Sequence, residues 1–179
     1  MFMTRGFDGT SVEAVAELAG MSKRTVYARF ADKSELFSAV LRLLIDRWLL
    51  PISRFEASRE DLEPTLTEIA RHLLLSALAP SAVSVHRILI AEAQRQPAFG
   101  RLAFAEGAKP AVRAIAAVLR RHRRRLRVTD HQLAAEQFMS LVIDHPLRLA
   151  SLGIAIDERN IEPQVQAAVE LFLHGAVRR

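Results

Sequence analysis

No cysteine occurs in the 179-residue chain, which excludes a disulfide framework, a thiolate metal site and a cysteine nucleophile together. Glycine and proline are scarce, at 7 each, while alanine, leucine, arginine and glutamate, all good helix formers, are abundant. An all-α fold is the expectation. Long apolar runs are missing too. The longest candidate, over residues 40–52, is broken by Arg42, Asp46 and Arg47, so no segment is expected to span a bilayer. The first residues lack the basic leader, apolar stretch and small-residue cleavage site of a secretory signal. A soluble, cytoplasmic protein with no membrane partner is expected. At this length, a small module plus one larger domain with its own core is the natural division.

What is present begins with charge. The formal net charge is +5 and the isoelectric point about 10.6, which favours a polyanionic partner. Its distribution points away from the N-terminus, however. Residues 1–50 hold seven basic side chains (Arg5, Lys23, Arg24, Arg29, Lys33, Arg42 and Arg47) against six acids. Much of the excess sits instead at Arg120, Arg121, Arg123, Arg124, Arg125 and Arg127. That run reads as the solvated C-terminal end of a helix, where cations complement the dipole. A nucleic-acid argument therefore has to rest on local pattern.

Residues 11–19 place Val12, Val15, Ala16 and Ala19 at the spacing of an amphipathic helix, with Thr10 or Ser11 as its cap and Gly20 after it. Ser22 opens a second short helix in which Val26 and Phe30 share one face and Arg24, Thr25 and Ala28 the other. Asp32 followed by Glu35 has the spacing of a capping box. It predicts a long helix through Leu36, Phe37, Val40 and Leu44 that ends near Leu50, before Pro51. Further helices are expected after Pro64, from Ser81 to Gln96, and from Pro97 with an interruption at Gly107 and Pro110 before resumption at Ala111. Another is capped by Thr129 or Asp130 and kinked at Pro146, and a last one follows Pro163, roughly nine in all.

Two short helices joined at a glycine, with the small Ala16 where they approach, fit a helix-turn-helix. In such a unit Lys23 and Arg24 can pair with phosphates or a guanine edge, Thr25 can bond phosphate or base, and Tyr27 offers a hydroxyl. Lys33 lies at a helix start, where exposed amides favour phosphate. Spacing alone leaves an ordinary helical hairpin with a solvated face equally open.

The series Gly6-Phe7, Thr10-Ser11-Val12, Ala16, Ala19-Gly20, Ser22-Lys23, Thr25, Tyr27, Phe30 and Lys33 through Leu36-Phe37 resembles the N-terminal signature of the tetracycline-repressor (TetR) family. The resemblance implies a helix-turn-helix domain whose second helix enters the major groove of double-stranded operator DNA. Thr25, Tyr27 and Lys33 would be among the contacts, and Thr10, Ser11, Lys23 and Arg24 complete the candidate set. It also implies a larger helical C-terminal domain that dimerises and holds a small-molecule effector, with no cofactor. The division is placed as residues 1–48 and 49–179, and the implied function is a repressor released from its operator by a small apolar ligand. The stretches at residues 87–93 and 168–175 resemble the family more loosely. The family's first helix precedes Gly6-Phe7, and here residues 1–5 supply about one turn of it. Phe7, Val15 and Phe30 are therefore expected to be short of partners.

The helix from residue 129 carries apolar side chains on more than one side, and the last helix does likewise. Helices apolar almost all round are buried. Both could be core. A two-fold homodimer interface through Phe138, Leu141, Val169 and Phe172 fits better with the reading of symmetric DNA sites. Candidate effector-pocket residues are His86, Phe99, Phe104, Gln137, Phe138 and His145, a mainly apolar set with few polar handles. His86, His122, His131, His145 and His174 have no pairing typical of a metal site. No nucleophile triad, Gly-rich phosphate loop or enzymatic pair of acids is recognisable. A helical enzyme, or a helical interaction protein that never meets DNA, are the alternatives.

Overall fold

Side-chain caps set the starts of several helices in the computed structural model, which describes residues 1–55 and 61–176. After a single turn, α1 (Phe2–Arg5), closed by Gly6 at φ 71°, Ser11 Oγ accepts from the Ala14 amide and starts α2 (Val12–Leu18). Ser22 Oγ accepts from the Thr25 amide and starts α3 (Lys23–Tyr27). Asp32 Oδ1 accepts from the Glu35 amide at 2.8 Å, and the Glu35 carboxylate accepts from the Ala31 amide at 2.6 Å. This is a variant of the expected capping box, with Glu35 reaching the amide one residue before the N-cap.

The helix it opens, α4 (Lys33–Phe55), outruns the expected end near Leu50. Pro51 removes one ladder hydrogen bond without ending the helix. Next come α5 (Leu62–Leu78) and α6 (Pro80–Glu92). The latter begins one residue before the anticipated Ser81, because a proline's fixed φ suits the first helical position. The break expected at Gly107 and Pro110 is absent. Instead α7 (Pro97–Leu102) passes into a π-helical turn, Ala103–Ala108, and on into α8 (Lys109–Arg121). The wider turn takes up the mismatch that Pro110 imposes on an α ladder. Asp130 Oδ1 accepts from the amides of Gln132 and Leu133 and opens α9 (His131–Ser151), which carries Pro146 inside one continuous helix. Finally, α10 is Ile161–Ala176. No strand occurs among the described residues.

Two clusters of buried side chains organise these helices. The larger one joins α5, α8, α9 and α10 through Leu66, Ile69, Leu74, Ile115, Leu119, Phe138 and Val165, and Arg71 ties α5 to Glu162 of α10 at 2.7 Å. Phe138 and Val169, expected at a dimer interface, belong to this core, and Phe172 packs edge-on against Phe138 at 4.9 Å between ring centroids. The helical register turns Leu133 and Leu141 of α9 and Leu171 of α10 outward instead.

The second cluster holds Phe2, Phe7, Val12, Ala16, Val26, Phe37, Leu41 and Ile45, together with Val85 and Ile88 of α6 and Phe99 of α7. The expectation that Phe7 lacks partners is corrected here. Its ring lies 6.1 Å from Phe2, 5.7 Å from Phe37 and 5.2 Å from Phe99, while Phe37 and Phe99 are 4.7 Å apart. Val15 and Phe30 are half-buried at its edge.

Because Phe99 comes from a distant part of the chain yet fills the N-terminal core, Phe99→Ala is expected to cost about 3–5 kcal/mol. It should also lower hydrogen-exchange protection over residues 7–30. Denaturant unfolding and exchange read the two effects, and a loss below about 1 kcal/mol would contradict the shared core.

Candidate nucleic-acid interface

The turn between α2 and α3 depends on Gly20, at φ 64°, a left-handed conformation that glycine adopts without strain. The Met21 amide then donates to the Ala16 carbonyl at 2.9 Å, and α3 leaves at an angle to α2. Of α3, only Val26 is buried. Lys23, Arg24, Thr25 and Tyr27 are all exposed. A five-residue helix anchored by one valine presents almost its whole surface outward, held by its cap and turn.

An open cleft of about 440 Å³ beside these helices brings together Thr10, Ser11, Tyr27 and Lys33, with Arg5 as a further member. The sequence pattern did not single out Arg5; its position at the end of α1 was the available signal. Several of the gathered side chains have internal partners. Thr10 is buried and its hydroxyl donates to the Gly6 carbonyl at 2.8 Å, a structural role in place of the expected DNA contact. Ser11 is an exposed cap. The Thr25 and Ser22 hydroxyls lie 2.8 Å apart. Tyr27 donates its phenolic hydrogen to Glu13 at 3.1 Å. A backbone amide and this phenol hold the Glu13 carboxyl below its ordinary range, and Glu13 in turn pushes the Tyr27 phenol up. That partnership crosses from α2 to α3, and no spacing rule announces it.

Lys33 has partners within the protein as well. Its Nζ donates to the Phe7 carbonyl at 3.0 Å and lies 4.5 Å from the centre of the Phe7 ring. The amine therefore closes the loop before α2 on to α4. Close by, Arg95 at the end of α6 contacts Asp8 of the same loop at 2.6 Å and the buried Glu92 at 2.7 Å. Arg95 holds the Asp8 carboxyl below the usual carboxylate range.

Behind the head, α4, α5, α6, α9 and the π turn line a half-open cavity of about 270 Å³. Its walls are Leu41, Ile45, Trp48 and Leu49 of α4, Leu73, Ser76 and Ala77 of α5, Ala82, Val85, His86 and Leu89 of α6, and Met139, Ile143 and Leu147 of α9. Ala103, Gly107, Ala108 and Ala111 close it. Of the six pocket residues expected from sequence, His86 alone lines it. Phe99 is committed to the N-terminal core and Phe138 to the body core. Phe104 points outward from the π turn at 64% exposure, and Gln137 and His145 lie on the exposed side of α9. Register explains the difference, since Met139, Ile143 and Leu147 follow one another at i+4 along the inward stripe of α9.

An exposed helix-turn-helix joined to a helical body with its own apolar cavity is the architecture of a one-chain bacterial regulator. Residues 1–40 match the profile of the tetR family of bacterial regulatory proteins, and residues 64–175 match that of the C-terminal domain of AefR-like transcriptional repressors. The second match alone takes in more than half of the chain, and the protein belongs to the TetR family. Over 63 residues it is 46% identical to the HTH-type transcriptional regulator RutR of Escherichia coli (strain K12), a match covering 35% of this chain and 28% of that protein. The chain thus matches less than a third of that curated relative's length. A TetR-family transcriptional regulator from Mesorhizobium loti MAFF303099 superposes with a TM-score of 0.90 at 27% identity, covering 99% of this chain and 91% of the other. The flavonoid-responsive regulator FrrA gives 0.76 at 30% identity, over 99% and 92%.

Lys33→Ala is expected to act first on folding. Losing a charge-assisted hydrogen bond and a ring contact should destabilise the head by about 1–2 kcal/mol, visible as faster amide exchange over residues 7–12. Unchanged exchange with a flattened salt dependence of DNA binding would restore the phosphate-contact role.

Proposed function

We propose that the protein is a transcriptional repressor that grips double-stranded operator DNA as a homodimer and lets go when a small apolar effector occupies the cavity behind its reading head. The observation that carries this reading is the outer face of α3. Lys23, Arg24 and Thr25 lie exposed on a helix presented by a capped turn, the inventory that reads base edges and phosphates in a major groove. Ser11 and Arg5 flank it. Family membership supports the same role, and a cytoplasmic location follows from it.

The homodimer is assigned to the outer stripe of α9 and α10, where Leu133, Leu141 and Leu171 are exposed at 49%, 37% and 63%. Isolated exposed leucines are ordinary, but several on two helices that pack against each other suit a self-complementary interface. Release is assigned to α4. It begins at Lys33 under the head and supplies Leu41, Ile45 and Trp48 to the cavity wall, so a ligand that favours one placement of α4 biases the placement of the head. The effect can be no larger than the ligand's differential affinity for the two forms.

Selection of bound sequences from a random duplex library, followed by titration of the enriched site, tests the reading. Arg24→Ala and Thr25→Ala are each expected to cost about 1–3 kcal/mol and to relax preference at particular base pairs. Lys23→Ala should weaken all sequences alike and reduce the salt slope. Failure to enrich any sequence, or indifference of the enriched site to Arg24→Ala, would sink the assignment.

A further inference from the structure

The cavity's walls specify more than its existence. No charged side chain lines it, and the lining side chains that carry a polar atom are Trp48, Ser76 and His86; the Trp48 indole can only donate, whereas an imidazole can donate or accept. Ser76 is already engaged, with its hydroxyl 3.3 Å from the Nε2 of His72, which itself lies 2.8 Å from the Trp48 carbonyl. His86 is held from the other side, its Nδ1 2.8 Å from Ser151 Oγ at the end of α9. Arg87 donates to the carbonyls of Ala150 and Ser151 at 2.7 and 2.8 Å and fixes that end of α9 against α6. The His86 Nε2 has no partner among the described residues. Burial holds the His86 imidazole below its ordinary value, so the ring is neutral at neutral pH. The Ser151 hydroxyl can turn to give or accept a hydrogen bond, which lets Nε2 act as acceptor or donor in response.

We infer that the cavity takes an uncharged, compact apolar molecule bearing one hydroxyl or carbonyl group, and that His86 is the side chain that reads this group. The inference rests on the effector role proposed above for the same cavity. An ionised carboxylate or amine would lose its hydration among leucine, isoleucine, valine and alanine with no counter-charge, a cost that one imidazole cannot offset. At about 30 Å³ per water, 270 Å³ corresponds to roughly nine waters, the scale of a single ring with a short substituent.

The test is calorimetric titration of the full chain with four matched probes: 2-phenylethanol, acetophenone, ethylbenzene and phenylacetate. The alcohol and the ketone are expected to bind about tenfold or more tightly than phenylacetate, and about three- to tenfold more tightly than ethylbenzene. His86→Leu should reduce the alcohol and ketone to the level of ethylbenzene. His86→Gln, which keeps a donor and an acceptor, should retain most of the preference. Ala103→Trp, which fills the cavity, should abolish binding of all four. The inference is overturned if phenylacetate binds as well as the alcohol, if no neutral probe binds at millimolar concentration, if His86→Leu leaves the preference intact, or if Ala103→Trp still binds. Operator titration with and without 2-phenylethanol separates the two readings. Selective binding with unchanged operator affinity would remove the effector role and leave the ligand class standing.

Discussion

Phe37 is the residue on which the two halves of the chain converge. It is fully buried, and Phe2 and Phe7 of the N-terminal segment and Phe99 of the body all pack against it. Four rings in stacked, edge and tilted contact form a packed joint, and such joints move between discrete arrangements more readily than they deform. The stripe of α4 that supplies Phe37 continues through Leu41, Ile45 and Trp48, which line the cavity. One face of one helix therefore serves as the floor of the N-terminal core and a wall of the cavity. A change in how the cavity is filled has a short, rigid route to the rings beneath α2 and α3.

The polar ties around this joint are weaker than the rings. Asp8 and Arg95 are both largely exposed, and such pairs contribute at most about 1 kcal/mol and fade with salt. Removing a buried phenyl ring costs several times that. Arg95 matters more to Glu92, a buried carboxylate that would otherwise lack a counter-charge. Attachment of the head to the body is thus chiefly apolar and insensitive to ionic strength, whereas a grip on DNA through Lys23 and Arg24 falls steeply as salt rises. Salt can loosen the proposed complex without rearranging the protein.

Local chemistry was legible in the sequence. Ser11, Ser22, Asp32 with Glu35, and Asp130 each start a helix where their side chains reach the first free amides, an effect confined to three or four residues. The exposed face of α3 was legible for the same reason. Non-local packing was not. Pro51 looks like punctuation, yet it sits inside α4, and the π turn at 103–108 replaces an expected break. Phe99 reads as a pocket aromatic until the chain folds it under Phe7, 92 positions away by residue number. Cavity residues chosen for polarity or aromaticity missed the wall, because the wall is made of ordinary core types whose register faces inward. Thr10 carries the right side chain for DNA but is buried and spends its hydroxyl on the Gly6 carbonyl, and Lys33 commits one of its three donors to the Phe7 carbonyl.

The placement of positive charge bears on how such a head would find DNA. Residues 107–129 hold eight basic side chains and no acidic one, more than the whole net charge of +5. They run from the π turn, where Gly107 approaches Ile45, along α8 to the arginines at its far end, where Arg125 meets Asp61 at the start of α5. Thirteen helical residues carry that end about 18 Å onward, more than two Debye lengths at physiological salt, about 8 Å each. The field of the arginine run is therefore screened from the α3 face. The head itself is nearly balanced in charge, and several of its charged groups have partners within the protein: Glu13 with the Tyr27 hydroxyl, Asp8 with Arg95, Lys33 with the Phe7 carbonyl. The DNA recognition proposed for it would therefore come from short-range contacts of a few side chains in a groove, which would tie affinity to how firmly the phenylalanine joint holds α3 in place.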